Sequence, residues 1–281
     1  MANEHRIYDS FSEIEQDLVQ NAPSIVYKYR GWSQDLHKSL LIDRKLWFSH
    51  PFDLNDPLDV RPEHKFDLSE VEDPRWLEML LDRVAEVHPQ LATDRDRRTA
   101  AENQWDITRA NPSNITDAHK TIQTDRSRFD SYGVFSASTN GLNERLWKEY
   151  GEDSTGYCVG FDTVKLCKQV QCSYGYVTYS DSPFVYSFLN KRKDIDMIFL
   201  KKTSWSHEEE FRFITAGIGA HSTRLQSFTP DTVAEVLLGE NMSSSSEKEL
   251  LGHIKSIYPT TVSVYKVRTE GNNILREKIV L

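Results

Sequence analysis

The sequence predicts an α+β fold. Segments rich in β-branched and aromatic residues, which are typical of strands, occur at 24–30 and again from residue 132 onward. Between them, residues 66–130 carry apolar residues at helical spacing. Because helices and strands are grouped rather than alternating regularly, α+β is favoured over a doubly wound parallel sheet. We predict one domain over residues 1–281, with 66–130 as a helical insertion that packs over one side of the sheet.

The first sixty residues contain two predicted strands with a helix between them. The strand at 24–30 follows Pro23 and ends at Gly31, and a second short strand covers 45–49. Leu36, Leu40 and Leu41 have helical spacing in the intervening segment. The following segment, 51–59, combines prolines with Asn and Asp residues and is predicted to be a loop.

Three helices are predicted in the insertion. The pair Asp73-Pro74 is a helix-start signal, and the apolar residues from Leu77 to Val84 then recur at helical spacing. The second helix is predicted over 94–109 and the third over 116–129, both with a heavily charged outer face.

The second half of the chain returns to strands. We predict strands at 132–138, 156–162, 170–179, 233–238, 261–267 and 274–280. A short helix carries Trp147 and Tyr150, and a longer one ends near residue 257.

A further predicted strand, within 201–215, carries the most unusual pattern of the chain. Alternation along a strand places Glu208, Glu210 and Arg212 on one face, while Phe211 and Phe213 face the core. Two carboxylates two residues apart then lie roughly 6–7 Å from each other at Cα. The sequence alone also permits a solvated face, on which a Glu–Arg pair contributes under about 1 kcal/mol.

Composition excludes several classes of function. The net charge of −9 argues against broad, salt-driven binding to nucleic acid or to anionic membranes. No apolar run approaches the roughly 20 residues of a membrane span, and the first residues lack a signal-peptide pattern. Cys158, Cys167 and Cys172 are too few for a disulfide framework or a zinc site. We therefore expect a cytoplasmic protein without a membrane partner.

Familiar catalytic motifs are missing from the sequence. Gly217-Ile218-Gly219 lacks the remaining residues of a phosphate loop, and His207-Glu208 lacks the second histidine of a zinc-protease motif. Asp53, Asp56 and Asp59, together with the two strand glutamates, could collect a hard cation. A metal-dependent nuclease or phosphodiesterase is therefore one alternative.

The order of the aromatic and polar motifs resembles a bacterial and phage family known as domain of unknown function 2971. The resemblance covers about 25–281 apart from the insertion. It rests on the following motifs: Tyr29-Arg30, Leu46-Trp47-Phe48-Ser49, Asn55-Asp56-Pro57, Phe135-Ser136-Ala137-Ser138, Trp147-x-x-Tyr150 and Trp205-x-x-Glu208-x-Glu210-x-Arg212. Leu54 and Leu58 stand where that family has phenylalanines.

That family in turn is similar to the ADP-ribosyltransferase superfold, a split antiparallel sheet that holds NAD. The resemblance implies that Glu210 is catalytic, with Glu208 beside it, and that Arg30 meets the phosphates or ribose of NAD. Ser136 and Ser138 are implied at the nicotinamide ribose. Further residues implied in NAD binding are Tyr29, Ser49, Asn55, Asp56, Trp147 and Tyr150.

The implied function is an NAD-consuming ADP-ribosyltransferase-like enzyme, such as a toxin or a phage-defence effector, for which an antitoxin is a conceivable partner. Breaking the nicotinamide–ribose bond passes through an oxocarbenium-like state, which a fixed carboxylate stabilises. The acceptor is left open between protein, nucleic acid, small molecule and water. A relative of the superfold that binds a nucleotide or a partner protein without catalysis is the other alternative.

Overall fold

A large, mostly antiparallel β-sheet dominates the computed structural model, which describes residues 11–91, 93–116, 126–190, 193–218, 224–258, 260–271 and 273–281. The strands of the described residues, in this sheet and in three smaller two-stranded ones, are β1 (Ile25–Arg30), β2 (Lys45–Trp47), β3 (His64–Phe66), β4 (Tyr132–Ser138), β5 (Tyr157–Asp162), β6 (Ser173–Tyr176), β7 (Thr178–Tyr179), β8 (Phe184–Tyr186), β9 (Leu200–Lys201), β10 (Glu210–Ala216), β11 (Leu225–Ser227), β12 (Val233–Leu238), β13 (Ser263–Glu270) and β14 (Asn273–Ile279). The helices are α1 (Phe11–Asn21), α2 (Asp35–Ile42), α3 (Arg75–Val87), α4 (Asp94–Ala110), α5 (Glu144–Glu149), α6 (Thr163–Val170), α7 (Lys193–Ile198) and α8 (Ser244–Ile257).

Eight strands of the described residues form the main sheet, in the order β14-β13-β12-β5-β1-β4-β10-β6. Strand β1 pairs along its whole length with β5, and β10 pairs with β4 from Glu210↔Ser138 to Ala216↔Tyr132. Both pairings are antiparallel, whereas β12 and β13 are parallel. The predicted α+β class is therefore confirmed, and the sheet is mixed rather than wholly antiparallel.

The sheet opens between its two halves. Within the described ranges, β1 and β4 share a single paired position, Tyr27↔Ser138, although they are neighbours in the sheet. Beyond this position, Lys28 extends from β1 and its ammonium group donates a hydrogen bond to the backbone carbonyl of Ser136 on β4. The gap between β1 and β4 leaves room for a cavity.

The main core lies between one face of this sheet and the helices α1, α2, α6 and α8. Phe211 and Phe213 of β10 are buried in it, as the alternation predicted. Leu40, Leu166 and Leu250 enter the same core from three of these helices. Burying large aromatic and aliphatic side chains supplies the main driving force for folding, about 25 cal/mol per Å² of apolar area.

Helices α3 and α4 build a smaller core of their own. Helices α3 and α4 pack on each other around Trp76, Leu80, Val84 and Ala101, close to the predicted bounds of the first two helices. Trp76 also contacts Phe188 edge-to-face, which joins this core to the rest of the molecule. The third predicted helix, 116–129, falls largely outside the described residues, and its last four residues form a 3₁₀ turn.

Three segments differ from the sequence prediction. Helix α1 was not predicted. Helix α6 was not predicted either: it occupies the start of the predicted strand at 170–179 and is followed by Gln171 in the left-handed region at φ 46°. The predicted strand across 201–215 is interrupted by a 3₁₀ helix, Thr203–Glu208, and by Glu209 at φ 46°. The carboxylate of Asp181, 22 positions earlier in the chain, accepts hydrogen bonds from the backbone and hydroxyl of Thr203 at the start of that 3₁₀ helix, so a tertiary contact overrides the strand pattern.

Among the helices that the structure describes, none combines the length and the apolar composition needed to cross a lipid bilayer.

Candidate functional site

A cavity of about 470 Å³ lies at the opening between β1 and β4, within the size range of small-molecule sites. Strands β1 and β4 form two of its walls, and the 51–59 loop, α5 and the segment around Glu208 form the others. Ten of the residues singled out from the sequence line it: Tyr29, Arg30, Ser49, Asn55, Asp56, Ser136, Ser138, Tyr150, Glu208 and Glu210. Arg30 and Glu210, 180 positions apart in the chain, thus share one cavity.

A buried ion cluster forms the floor on the β10 side. Arg212 is 0% exposed and grips Glu210 with two hydrogen bonds, Nε to Oε1 at 2.6 Å and Nη2 to Oε2 at 3.0 Å. The same guanidinium holds Asp59 in a bidentate pair at 2.9 and 2.6 Å. The planar guanidinium group has N–H donors on two edges, so it can bind two carboxylates at the same time. The predicted charged face is therefore an internal network and not a solvated surface.

Lys201 links the two glutamates. Its Nζ contacts a carboxylate oxygen of Glu208 and lies 3.2 Å from Oε2 of Glu210. The ammonium group also sits 4.7 Å from the ring centre of Trp205. Although Glu208 precedes β10 and lies on the 3₁₀ helix, the turn at Glu209 still directs its carboxylate to the same ammonium group.

The two glutamates have opposite pKa shifts. Burial alone would raise the pKa of Glu210, but the charges of Arg212 and Lys201 outweigh it and hold that pKa well below its usual value. Burial, followed by the charge of Glu210, raises the pKa of Glu208 above its usual value. Glu210 is consequently a fixed anion at neutral pH, whereas Glu208 gains a proton more readily.

Tyr150 connects Glu208 to the loop on the opposite wall. Its hydroxyl donates to Oε1 of Glu208 at 2.7 Å, and the side chain of Asn55 bonds the same tyrosine. Ser136 of β4 supplies a side-chain hydrogen bond to Glu210. Three of the predicted binding residues therefore position the glutamates within the cavity wall.

The β1 wall carries positive charge without an acidic partner. Among the described residues, neither Lys28 nor Arg30 forms an ion pair with a carboxylate, and Arg30 makes only a 3.5 Å contact with the Tyr29 carbonyl. Burial, followed by the charge of Arg30, lowers the pKa of Lys28 to about 7. Arg30, joined by Lys28 in its protonated form, gives this strand wall a positive charge that attracts an anionic ligand. Lys28 was not identified from the sequence as a site residue. Its position two residues before Arg30 places both side chains on the same face of the strand, which could have indicated it.

Trp147, which the sequence analysis placed among the NAD-binding residues, lies outside the cavity lining. It is 0% exposed and does not line the cavity. Its indole donates to the carbonyl of Gly141 at 3.1 Å, and its ring meets Tyr29 edge-on at 5.2 Å. The rings of Trp147 and Tyr29 pack against each other, so Trp147 supports the cavity wall from behind and does not face the cavity.

The loop aspartates are already engaged. Asp53 pairs with Arg126 at 2.8 Å, Asp56 accepts from the backbone of Leu58 at 2.9 Å, and Asp59 pairs with Arg212. Across the part of the chain that the structure describes, no group of three or more His, Cys, Asp or Glu side chains is arranged to hold a metal ion. The arrangement gives the metal-dependent nuclease alternative no support.

Residues 146–213 match the family described as "Protein of unknown function (DUF2971)". The match confirms, over this segment, the resemblance that the motif order predicted. It begins in α5, includes Tyr150, Lys201, Glu208 and Glu210, and ends in β10, so it contains one side of the cavity. No curated protein and no solved structure matches the chain.

Proposed function

We propose that this protein is an NAD-consuming enzyme of the ADP-ribosyltransferase type, which cleaves the bond between nicotinamide and ribose. One observation carries the proposal: Arg30 and Lys28 of β1, neither of them ion-paired among the described residues, line the same cavity as a fixed carboxylate of β10. NAD presents both of the features that such a cavity complements. Its diphosphate is anionic, and its nicotinamide ribose develops positive charge when the bond breaks.

Arg30 is proposed to bind the diphosphate. Burial lowers the pKa of Arg30, but arginine remains charged in proteins, and its planar fork matches two phosphate oxygens. Lys28 adds a second positive charge to the same wall when it is protonated. No rearrangement of ion pairs is needed to free either group, because neither is paired with a carboxylate in the described residues.

Glu210 is proposed to stabilise the oxocarbenium-like state. A carboxylate about 5 Å from the developing charge contributes roughly 3 kcal/mol at an effective dielectric near 20. Because Arg212, Lys201 and Ser136 fix the carboxylate before substrate binds, little reorganisation is required during the reaction. Glu208, which shares Lys201 and bonds Tyr150, is the second carboxylate available to the ribose or to the acceptor.

The test is release of nicotinamide from NAD by the purified full chain, with and without a bacterial lysate as a source of acceptors. We expect free nicotinamide together with either a labelled acceptor or free ADP-ribose when the adenine half carries the label. A Glu247→Gln variant is the matched control, since Glu247 of α8 pairs with Lys266 of β13 and is not part of the cavity wall. Intact NAD after prolonged incubation under all conditions would rule the proposal out.

A second candidate function is supported by the same cluster. Both oxygens of Glu210 are occupied by Arg212, and Lys201 adds a further contact, as in a purely structural ion network. The chain would then bind NAD or a related nucleotide without cleaving it. Saturable binding of NAD with no release of nicotinamide identifies this alternative.

Binding of NAD is expected to weaken as the pH rises from 6.5 to 8.5. The pKa of Lys28 is about 7 in the free protein, so the ammonium form is lost across this interval, whereas a bound diphosphate stabilises it and raises the pKa. We expect the dissociation constant to increase on the order of tenfold. Burial, followed by the charge of Arg30, lowers the pKa of His37 from its usual value, which favours the neutral imidazole of this neighbour over the interval.

Calorimetry in two buffers of different ionisation enthalpy measures this effect as proton uptake on binding near pH 7.5. In a Lys28→Met variant we expect weaker binding and no proton uptake. An equal proton uptake by wild type and variant would assign the effect to another group.

A further inference from the structure

Two cysteine sulfurs meet at the turn between α6 and β6. Cys167 lies in the last turn of α6 and is 1% exposed, whereas Cys172 is half-buried just before β6. The left-handed conformation of Gln171 folds the chain back, so that the two Sγ atoms are 3.7 Å apart. Sγ of Cys167 also faces the carbonyl of Cys172 at 3.6 Å.

We propose that Cys167 and Cys172 are an oxidative modification site, at which a peroxide converts the two thiols into a reversible intramolecular disulfide. Hydrogen peroxide oxidises one thiol to a sulfenic acid and releases water. The second sulfur then attacks the sulfenic sulfur, a second water leaves, and the S–S bond forms. The two thiols together lose two electrons and two protons, and the peroxide is reduced to water.

The arrangement of the two sulfurs favours this chemistry over further oxidation. A sulfenic acid is resolved to a disulfide when a second thiol is already next to it. The hydrogen bond from Cys172 lowers the pKa of Cys167, which favours the attacking thiolate form. Contact at 3.7 Å leaves a movement of under about 2 Å to a bond length near 2.05 Å, within the reach of side-chain rotation.

The disulfide would tie α6 to the edge of the main sheet. Strand β6 pairs with β10 from Ser173↔Ile214 to Tyr176↔Phe211, and β10 begins at Glu210. The cross-link therefore lies one strand away from the candidate site, and it is independent of the proposed function. Cys158 takes no part, since it is 0% exposed in β5 and packs against Tyr29 and Trp147 in a separate cluster.

The sequence allows a direct test. Lys168 lies between the two cysteines, so trypsin separates Leu166-Cys167-Lys168 from the peptide that contains Cys172. The full chain is treated with a few equivalents of hydrogen peroxide, unfolded in urea so that all of its free thiols are alkylated, and digested without reductant. We expect the two peptides to be joined by a disulfide, Cys158 to be alkylated, and dithiothreitol to release the cross-link.

Variants and alternative products complete the test. Cys158→Ala is expected to keep the cross-link, and Cys172→Ser, at the half-buried position, to lose it. Separate alkylation of Cys167 and Cys172 after peroxide treatment would overturn the proposal. Stepwise addition of oxygen atoms without a cross-link, or a disulfide that joins two chains or includes Cys158, would overturn it as well. The wild-type peptide map decides the question even if a variant fails to fold.

Discussion

Replacing Arg212 by methionine is expected to lower the free energy of unfolding by about 3–5 kcal/mol. The side chain is fully buried and is bonded to both Glu210 and Asp59. Methionine fills a similar volume but leaves these two buried carboxylates with Lys201 as their remaining cation. Removing one partner of a buried ion network costs far more than the network itself contributes. Urea denaturation of the full chain measures the difference.

Arg98→Met is the matched control for this experiment. Arg98 pairs with Glu102 on the surface of α4, and its side chain is 64% exposed. An exposed pair of this kind contributes under about 1 kcal/mol. If the two variants lost the same small amount of stability, the cluster around Arg212 would not be the buried network described here. The stability loss of Arg212→Lys is expected to lie between those of the two methionine variants, because lysine keeps the charge but lacks the bidentate guanidinium group.

The second large effect is expected on catalysis. Glu210→Gln should slow nicotinamide release by about a hundredfold, the equivalent of roughly 3 kcal/mol of lost transition-state stabilisation. The dissociation constant of NAD should change only a few-fold, because the proposed contacts of Glu210 form mainly as charge develops on the ribose. Nicotinamide release and NAD binding are measured on the same preparations, together with the urea midpoint.

The stability measurement separates a loss of chemistry from a loss of folding. Glutamine keeps one oxygen, which can accept a hydrogen bond at only one of the two positions that Arg212 Nε and Lys201 Nζ occupy, so we expect the variant to fold with a lower urea midpoint. Undiminished nicotinamide release by a folded Glu210→Gln variant would remove Glu210 from the mechanism. Glu208→Gln then becomes the informative comparison, since Glu208 lines the same cavity.

Alternation and residue type were sufficient to locate most strands. The strands β1, β4, β5 and β12 all lie within a residue or two of the predicted ranges, because each combines β-branched or aromatic residues with clear end signals. The short helix α6 was missed, since its eight residues have valines near both ends and give too little periodicity to separate a helix from a strand.

The local pattern was misleading where distant partners decide the structure. Spaced aspartates look the same in a sequence whether they hold a cation or an arginine, and only the fold brings Asp59 to Arg212. Trp147 likewise has the residue type of a ligand contact, but it is covered by Tyr29 and the chain around Gly141. The opening between β1 and β4, which creates the cavity, depends on strand order, and the sequence pattern did not specify that order.

Calorimetric titration of the full chain with NAD tests the central claim most directly. We expect saturable one-to-one binding by the wild type and an affinity lower by at least about tenfold for Arg30→Met, which corresponds to roughly 1.4 kcal/mol. Arg98→Met should bind like the wild type. The absence of saturable binding at millimolar NAD, or an unchanged affinity in a folded Arg30→Met variant, would contradict the assignment of this cavity to NAD.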